Sequence, residues 1–155
     1  MKKKVLHLLA SNSYSGAENV VCTIINCCSD KYDMYYCSPD GSIKDILIKK
    51  GIKFIPLERF TISEVKKVIK EYDIDIVHAH DFKASFVASF LKIKVISQLH
   101  CDYNMLPGKM LIGIIYSIIQ RNFSKVVVVS NEILESASFK KKILNKTYVI
   151  SNVID

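Results

Sequence analysis

The chain has 155 residues, 50% hydrophobic and 24% charged, so it is too apolar for a disordered protein and suits a single globular domain. Its formal net charge of +7 favours an anionic partner such as a phosphate or an anionic membrane surface. Only Arg59 and Arg121 among its 22 basic residues are arginines, and arginine is the side chain that most often reads bases, so no nucleic-acid partner is expected.

Short β-branched runs alternate with helical patterns along almost the whole chain. The predicted strands are Lys4–Leu9, Met34–Cys37, Ile52–Pro56, Ile74–Ala79, Val95–Leu99, Val126–Val129 and Tyr148–Ile150. The predicted helices are Ala17–Cys28, Ile43–Lys50, Ser63–Tyr72, Lys83–Leu91, Lys109–Asn122 and Glu132–Phe139. This alternation predicts a Rossmann-like α/β fold in three layers, in which one doubly wound parallel sheet lies between two layers of helices and residues 1–155 form a single domain.

The sequence shows no pattern of secretion or of a membrane span. The apolar run after the N-terminal lysines is short and interrupted by His7, unlike the core of a signal peptide. The five cysteines are odd in number and include no C-x-x-C pair, so neither a disulfide framework nor a zinc knuckle is indicated. The longest apolar stretch, Met110–Ile119, is far below the ~20 residues that span a bilayer. We therefore expect a cytoplasmic protein.

The segment from Met105 to Ile119 is apolar on almost every side, whereas a surface helix normally shows one apolar stripe. It could be a core helix or a surface that another domain covers, and these are the favoured interpretations. It could also make a peripheral contact with the inner face of a membrane, for which Lys109, Arg121 and Lys125 would supply positive charge.

Polar residues follow four predicted strands at the edge where a doubly wound sheet binds its ligands. These segments are Ser11–Gly16, His78–Asp81, His100–Asp102 and Ser130–Asn131. The first and fourth strands are neighbours in the usual strand order and the fifth lies beside them, so three of the four histidines should share this edge. Candidate binding residues therefore come from these segments.

The loop Ser11–Gly16 leads into a helix N-terminus, where free backbone N–H groups and the helix dipole favour an anion. Gly16 would let a phosphate approach the backbone closely. The loop matches neither G-x-G-x-x-G nor a P-loop, which argues against a dinucleotide site and against P-loop NTPase chemistry. The alternative to phosphate binding is a purely structural role, in which Gly16 permits a tight turn and Glu18 closes a capping box with Ser15.

His78 and His80 lie on one side of a predicted strand, and together with His100 and Asp102 they could gather a metal ion for a hydrolase. Acidic ligands are sparse, and His78 continues an apolar face as a core histidine would, so we expect no metal. His7 lies within a strand and is predicted to be structural. His80 and His100 could hydrogen-bond a sugar hydroxyl or act as acid or base, since an imidazole titrates near neutrality.

Six segments follow one another in a recognisable order: Lys4–Leu9, Ser15–Glu18, Asp75–Asp81, Leu99–His100, Val128–Asn131 and Val149–Asp155. Together they resemble, from end to end, the N-terminal domain of GT-B fold glycosyltransferases of family 4. The second segment resembles the family's G-G-x-E turn, with Ser15 in place of the first glycine. In similar proteins the last segment leads into a second Rossmann-like domain, which holds the donor and an E-x(7)-E pair.

The resemblance implies the acceptor-binding half of a retaining glycosyltransferase that uses a nucleotide diphosphate sugar and no cofactor. It implies that His100 is the catalytic residue at the reacting hydroxyl of a glycan or lipid-linked acceptor, and that Gly16 faces the donor diphosphate. The acceptor side would be lined by His80, Asp81, Ser130 and Asn131. It also implies that the donor-binding C-terminal domain is absent from this chain, which alone should be inactive.

A non-catalytic flavodoxin-like module that binds a nucleotide or a protein partner is the alternative from a different functional class. The composition is rich in lysine and isoleucine, which is associated with AT-rich genomes. We therefore expect a bacterial enzyme of cell-surface or exopolysaccharide biosynthesis.

Overall fold

The computed structural model describes residues 1–101, 110–135 and 145–151. Within these residues the strands are β1 (Lys3–Leu8), β2 (Tyr32–Pro39), β3 (Phe54–Leu57), β4 (Ile76–Ala79), β5 (Lys94–Leu99), β6 (Lys125–Val128) and β7 (Thr147–Val149). The helices are α1 (Gly16–Cys28), α2 (Ile43–Lys49), α3 (Ile62–Tyr72), α4 (Phe82–Ala88), α5 (Met110–Ile119) and α6 (Asn131–Glu135). A short 3-10 helix, Gln120–Asn122, continues α5.

All strands of the described chain lie parallel in one sheet, in the order β3-β2-β1-β4-β5-β6-β7. β1 pairs with β2 on one side and with β4 on the other, where His7 is level with His78. The chain leaves the sheet at β3 and returns at β4 beside β1, so the strand order reverses between β1 and β4. This confirms the Rossmann-like, doubly wound α/β fold predicted from the sequence and places its switch point between β1 and β4.

The sheet separates two hydrophobic cores. Leu6 and Leu8 of β1 pack on one face, in the core that also holds residues of α3, α4 and α5. Val5 and Leu9 pack on the other face, with residues of α1 and α2. Because side chains alternate along a strand, His7 lies on the same face as Val5 and Leu9. Burial on both faces explains why β1 is an almost continuous apolar run in the sequence.

The predicted element boundaries differ from the structure by a few residues, for local reasons. β4 begins at Ile76 rather than at Ile74, because the Ile74 N–H donates to the Ile69 carbonyl at 3.0 Å and so still closes the end of α3. The predicted helix Lys83–Leu91 ends at Ala88, and the Ser89 hydroxyl donates to a carbonyl of the last turn. The predicted helix Glu132–Phe139 extends beyond the described residues.

α5 is partly a core helix and partly a surface helix. Tyr116 and Ile119 are buried in the core, as the first interpretation of this apolar segment predicts. Leu111, Ile114 and Ile118 are nevertheless 48–65% exposed. No helix in the described part of the chain combines the length and the apolar character needed to cross a membrane.

Candidate functional site at the carboxyl edge of the sheet

A cavity of about 470 Å³ lies at the carboxyl ends of β1 and β4, next to the first turns of α1 and α4. Its polar walls come from Ser11, Glu18, His80, Asp81 and Lys83. This is the switch point of the sheet, where a doubly wound fold binds its ligands. The cavity therefore lies where the sequence predicts a site.

A larger cavity, of about 610 Å³, lies at the opposite edge, beside the amino ends of β1 and β2. Its lysines already have protein partners, since Lys2 and Lys4 donate to backbone carbonyls and Lys53 pairs with the Asp33 carboxylate. Their charges are therefore partly used within the chain. We assign the function to the smaller cavity, because the carboxyl edge gathers the free backbone N–H groups and the histidines.

The N-terminus of α1 is held by Glu18, which is only 2% exposed. The Glu18 carboxylate accepts the Ser15 N–H at 2.9 Å and also the Ser15 hydroxyl, so the capping box predicted from the sequence forms. Gly16 is the first residue of the helix, and a Cβ added there would meet no atom within 4 Å. The packing of the chain does not require glycine at this position, and the space beside it is open.

Asp81 ties the two loops of the site together. One carboxylate oxygen accepts the Ala10 N–H at 2.8 Å, and the other accepts the Ala84 N–H at 2.7 Å and so caps α4. Asp81 therefore fixes the loop after β1 against the start of α4, a structural role that the sequence did not predict. Its contact with an acceptor remains a prediction.

Four imidazoles form a continuous group, which we call the imidazole row: His7, His78, His80 and His100. A hydrogen bond joins His7 Nδ1 to His80 Nε2 at 2.9 Å, and the rings of His78 and His80 are 4.0 Å apart between centroids. His100 follows the end of β5 and stacks on His80 at 5.8 Å. Neither ring nitrogen of His100 has a hydrogen-bond partner among the described residues.

Burial keeps the imidazole row neutral. Desolvation lowers the pKa of His7 and of His80 well below 6.5, and the neighbouring imidazoles lower both further. Desolvation lowers the pKa of His78 to about 4, although a hydrogen bond with Gln98 opposes the shift. The pKa of His100 is also lowered by burial, with the nearby carboxylates of Glu18 and Asp81 opposing it. All four rings are therefore uncharged at pH 7.

The structure gathers a different histidine group from the predicted metal set. The nitrogens of His7, His78 and His80 lie within 4.8 Å of one another, whereas the predicted set contained His100 and Asp102, and Asp102 lies outside the described residues. His7 and His80 are each 1% exposed and already share a hydrogen bond. His78 is only partly buried and His80 lines the cavity, so the expectation that no metal binds here remains a prediction.

Four predicted residues lie on the same edge of the sheet but outside the walls of the cavity: Gly16, His100, Ser130 and Asn131. Ser130 and Asn131 stand where β6 ends and α6 begins, and the Ser130 hydroxyl accepts the Ile133 N–H at 3.4 Å. Sequence reasoning did not assign Lys83 to the site, although its position directly after His80-Asp81-Phe82 places it in the first turn of α4. A residue so close to a strand end could have been included on position alone.

Comparison with known proteins gives a family. The family model described as Glycosyltransferase Family 4 matches residues 14–155. No curated protein matches the sequence significantly.

Several solved structures share the fold. HepE of Anabaena, in complex with UDP and glucose, matches with a TM-score of 0.80 and 20% identity, over 99% of this chain and 45% of that chain. A glycosyltransferase from Rickettsia africae matches with a TM-score of 0.70 and 20% identity, over 97% of this chain and 43% of that one. A UDP-glucosyltransferase from Polygonum tinctorium matches with a TM-score of 0.66 and 10% identity, over 100% of this chain and 54% of that one. The chain spans about half the length of these proteins.

Proposed function

The chain belongs to Glycosyltransferase Family 4, and on that basis we propose that it is the acceptor-binding half of a retaining glycosyltransferase. The reaction is the transfer of a sugar from a nucleotide diphosphate sugar to a hydroxyl of a glycan or lipid-linked acceptor, with retention at the anomeric carbon. We assign this chemistry to the carboxyl edge of the sheet, between the N-terminus of α1 and the imidazole row.

The observation that carries the proposal is the state of His100. Its ring follows the end of β5, both of its nitrogens are buried and unpartnered among the described residues, and its lowered pKa leaves it neutral at pH 7. A neutral imidazole can accept a hydrogen bond at one nitrogen and donate one at the other. His100 is therefore suited to orient the reacting hydroxyl and to hydrogen-bond the sugar, which is the role we assign to it as the catalytic residue.

The donor phosphates would bind at the start of α1. The backbone N–H groups of the first turn and the positive end of the helix dipole attract an anion, and Gly16 leaves open space beside them. These groups would stabilise the negative charge that develops on the leaving diphosphate. The proposal includes no metal ion or other cofactor.

The acceptor side would be formed by His80, Asp81, Ser130 and Asn131. The Asn131 side chain is exposed and can reach a ligand directly. His80 lines the cavity and has an unpartnered Nδ1, although its ring is buried. Each Asp81 oxygen accepts one backbone N–H and so keeps one lone pair for a ligand hydroxyl.

We further propose that transfer requires a donor-binding domain, supplied in cis or in trans, because the sequence matches less than half the length of HepE. Alone it should bind nucleotide sugar weakly and should not turn over. We place the complete enzyme in the cytoplasm, at the inner face of the membrane, in bacterial cell-surface or exopolysaccharide biosynthesis.

The test compares the chain alone with the chain joined to a donor-binding domain. UDP-glucose is the probe, because it is bound in a structure of HepE. Calorimetric titration and UDP-release assays with a panel of glycan and polyprenyl-linked acceptors should show weak binding and no turnover for the chain alone, with transfer restored by the second domain. Multiple turnover by the chain alone would contradict the proposal. Tight nucleotide binding without any transfer by the joined protein would favour a non-catalytic nucleotide-binding module.

A further inference from the structure

Two neighbouring helices present apolar side chains outward. On α5 the exposed residues Leu111, Ile114 and Ile118 follow a helical spacing, at 65%, 50% and 48% exposure. On α4 and directly after it, Phe86 and Phe90 are 37% and 51% exposed, and their rings contact each other edge to face. We call these five residues the α4–α5 apolar face. α4 and α5 contact each other, and exposed large apolar side chains on neighbouring elements are the kind of surface that marks an interaction site.

The inner sides of the same helices are fixed in the core, so this face is not a consequence of loose packing. The Ser97 hydroxyl of β5 hydrogen-bonds both Ser85 of α4 and Tyr116 of α5, at 2.7 and 2.8 Å. Val87 and Ile119 are buried on that inner side. The outward direction of the apolar face is therefore set by polar and apolar contacts on the opposite sides of both helices.

The chain around this face is strongly basic. From Phe82 to Asn131 the sequence contains six basic residues and a single acidic one, Asp102. Lys92, Lys94, Arg121 and Lys125 are exposed where α4 and α5 end, and none of these four forms an ion pair with a carboxylate within the described residues. Four exposed cations without a carboxylate partner among the described residues therefore lie at the ends of the two helices that carry the apolar face.

We propose that the α4–α5 apolar face docks on an anionic lipid bilayer. An apolar helix face that enters the acyl boundary, bordered by cations that meet acidic headgroups, is the arrangement of interfacial helices. α5 has 10 residues and is about 15 Å long, half the thickness of the hydrocarbon core, so it lies on the membrane rather than across it. The positive border distinguishes this occupant from a second copy of the chain, which would bring like charge against like charge.

The docked orientation connects the membrane with the carboxyl-edge cavity. Phe82 and Lys83 begin α4, Ile112 is in the first turns of α5, and all three residues wall the cavity. A bilayer bound to the apolar face would thus lie next to the cavity. This part rests on the proposed function: the acceptor hydroxyl would then be carried by a lipid rather than by a free glycan.

Vesicle co-sedimentation of the 155-residue chain tests the docking without donor or acceptor. We expect at least ~10-fold stronger binding to phosphatidylcholine vesicles that contain phosphatidylglycerol than to phosphatidylcholine alone, since each cation near an anionic surface contributes to attraction. High salt should remove most of this difference. Equal binding to the two kinds of vesicle, or no binding to either, would overturn the proposal.

Substitutions in the α4–α5 apolar face test whether vesicle binding depends on this face or on non-specific adsorption of the chain. The triple variant Leu111→Ser, Ile114→Ser, Ile118→Ser should lose at least ~10-fold in vesicle affinity. Ile48→Ser is the matched control, because Ile48 is 63% exposed on α2 and lies in the other helical layer. These side chains are exposed, so the variants should fold, and far-UV circular dichroism checks this. A loss of affinity in Ile48→Ser as large as in the triple variant would contradict the proposal.

Two double variants test the exposed basic residues that border the apolar face. Lys92→Glu with Lys94→Glu should weaken binding to anionic vesicles, whereas Lys49→Glu with Lys66→Glu, the same charge change elsewhere, should have a much smaller effect. Light scattering after gel filtration tests whether a second copy of the chain binds this face. If the chain forms a stable dimer and the triple serine variant does not, the face serves self-association and the proposal is overturned. Vesicle binding needs no transfer, so either this proposal or the proposed function can fail while the other stands.

Discussion

His7 and His100 both contact His80, but their surroundings differ. The His100 ring lies at the sheet edge with unpartnered nitrogens, so His100→Ala should lower kcat/KM of the assembled enzyme by roughly 10²-fold or more, the usual loss for a positioned acid–base or electrostatic group. The melting temperature should change little. Steady-state kinetics and a thermal melt on the same preparation check both. Full activity, or a lower melting temperature as the sole effect, would remove His100 from the site.

His7→Ala should have the opposite effect. The His7 ring is 1% exposed, and its loss would leave a cavity and remove the hydrogen bond to His80 Nε2. The expected loss of unfolding free energy is about 1–3 kcal/mol, which lowers the melting temperature of a domain of this size by several degrees. Urea denaturation of the chain measures it. A melting temperature equal to that of the wild type would show that the ring is not structural.

The buried imidazoles make the stability of the chain depend on pH. His7, His78 and His80 have folded-state pKa values below the unfolded value of 6.5, so the unfolded chain binds more protons as pH falls. Stability should be complete above about pH 7 and should decrease from pH 6.5 towards pH 4. At pH 5 the His78 ring, with a folded-state pKa of about 4, should cost about 2 kcal/mol, and His7 and His80 should act in the same direction. Urea midpoints at pH 7 and pH 5 test this, and His78→Gln should reduce the difference between them.

The positions of the candidate site residues in the fold could be predicted from the sequence better than their side-chain contacts. Strand ends in the sequence located Gly16, His80 and His100 on one edge, because parallel strands bring their carboxyl ends together. The bond between His7 and His80 was not predictable, because it depends on the register in which β1 and β4 pair. Asp81 was expected to face a ligand, yet its oxygens also hold two backbone N–H groups, which no spacing in the sequence reveals.

At the scale of elements, β5 is connected to α4 and α5 by the buried hydroxyls of Ser85, Ser97 and Tyr116. Tyr116→Phe removes one hydroxyl and should lower the unfolding free energy by about 1 kcal/mol, the usual net value of a hydrogen bond. Urea denaturation with two-state analysis measures the change. Tyr148→Phe is the control, because the Tyr148 hydroxyl is exposed and accepts from Lys125, and it should have a much smaller effect. Equal effects would contradict this interpretation.

The helices and strands could be predicted where their pattern is local. The period-two and apolar runs located the strands, and capping residues such as Thr61, whose hydroxyl accepts the Glu64 N–H, marked helix starts. α5 could not be assigned in the same way, because an almost wholly apolar helix carries no stripe that distinguishes its inner from its outer side. Only the packing of Tyr116 and Ile119 identifies the buried side.

At the scale of the whole molecule, the sheet order predicts how local stability varies. β1 is paired on both sides and buried on both faces, whereas β7 is an edge strand with exposed residues. Hydrogen–deuterium exchange followed by mass spectrometry should therefore find the slowest amides in Val5–Leu8 and much faster exchange in Thr147–Val149. Equal protection of the two strands would show that the sheet does not open from its edge.

The place of β1 in the strand order also affects how the chain is made. β1, β2 and β3 emerge from the ribosome first and can form one half of the sheet, because β1 pairs with β2 and β2 with β3. The other side of β1 then has to wait for β4, which follows β3 and the whole of α3. During that interval a nascent chain displays an apolar strand edge, the kind of surface that pairs with other chains. Early protection of this edge by chaperones would therefore matter most while residues 58–75 are emerging from the ribosome.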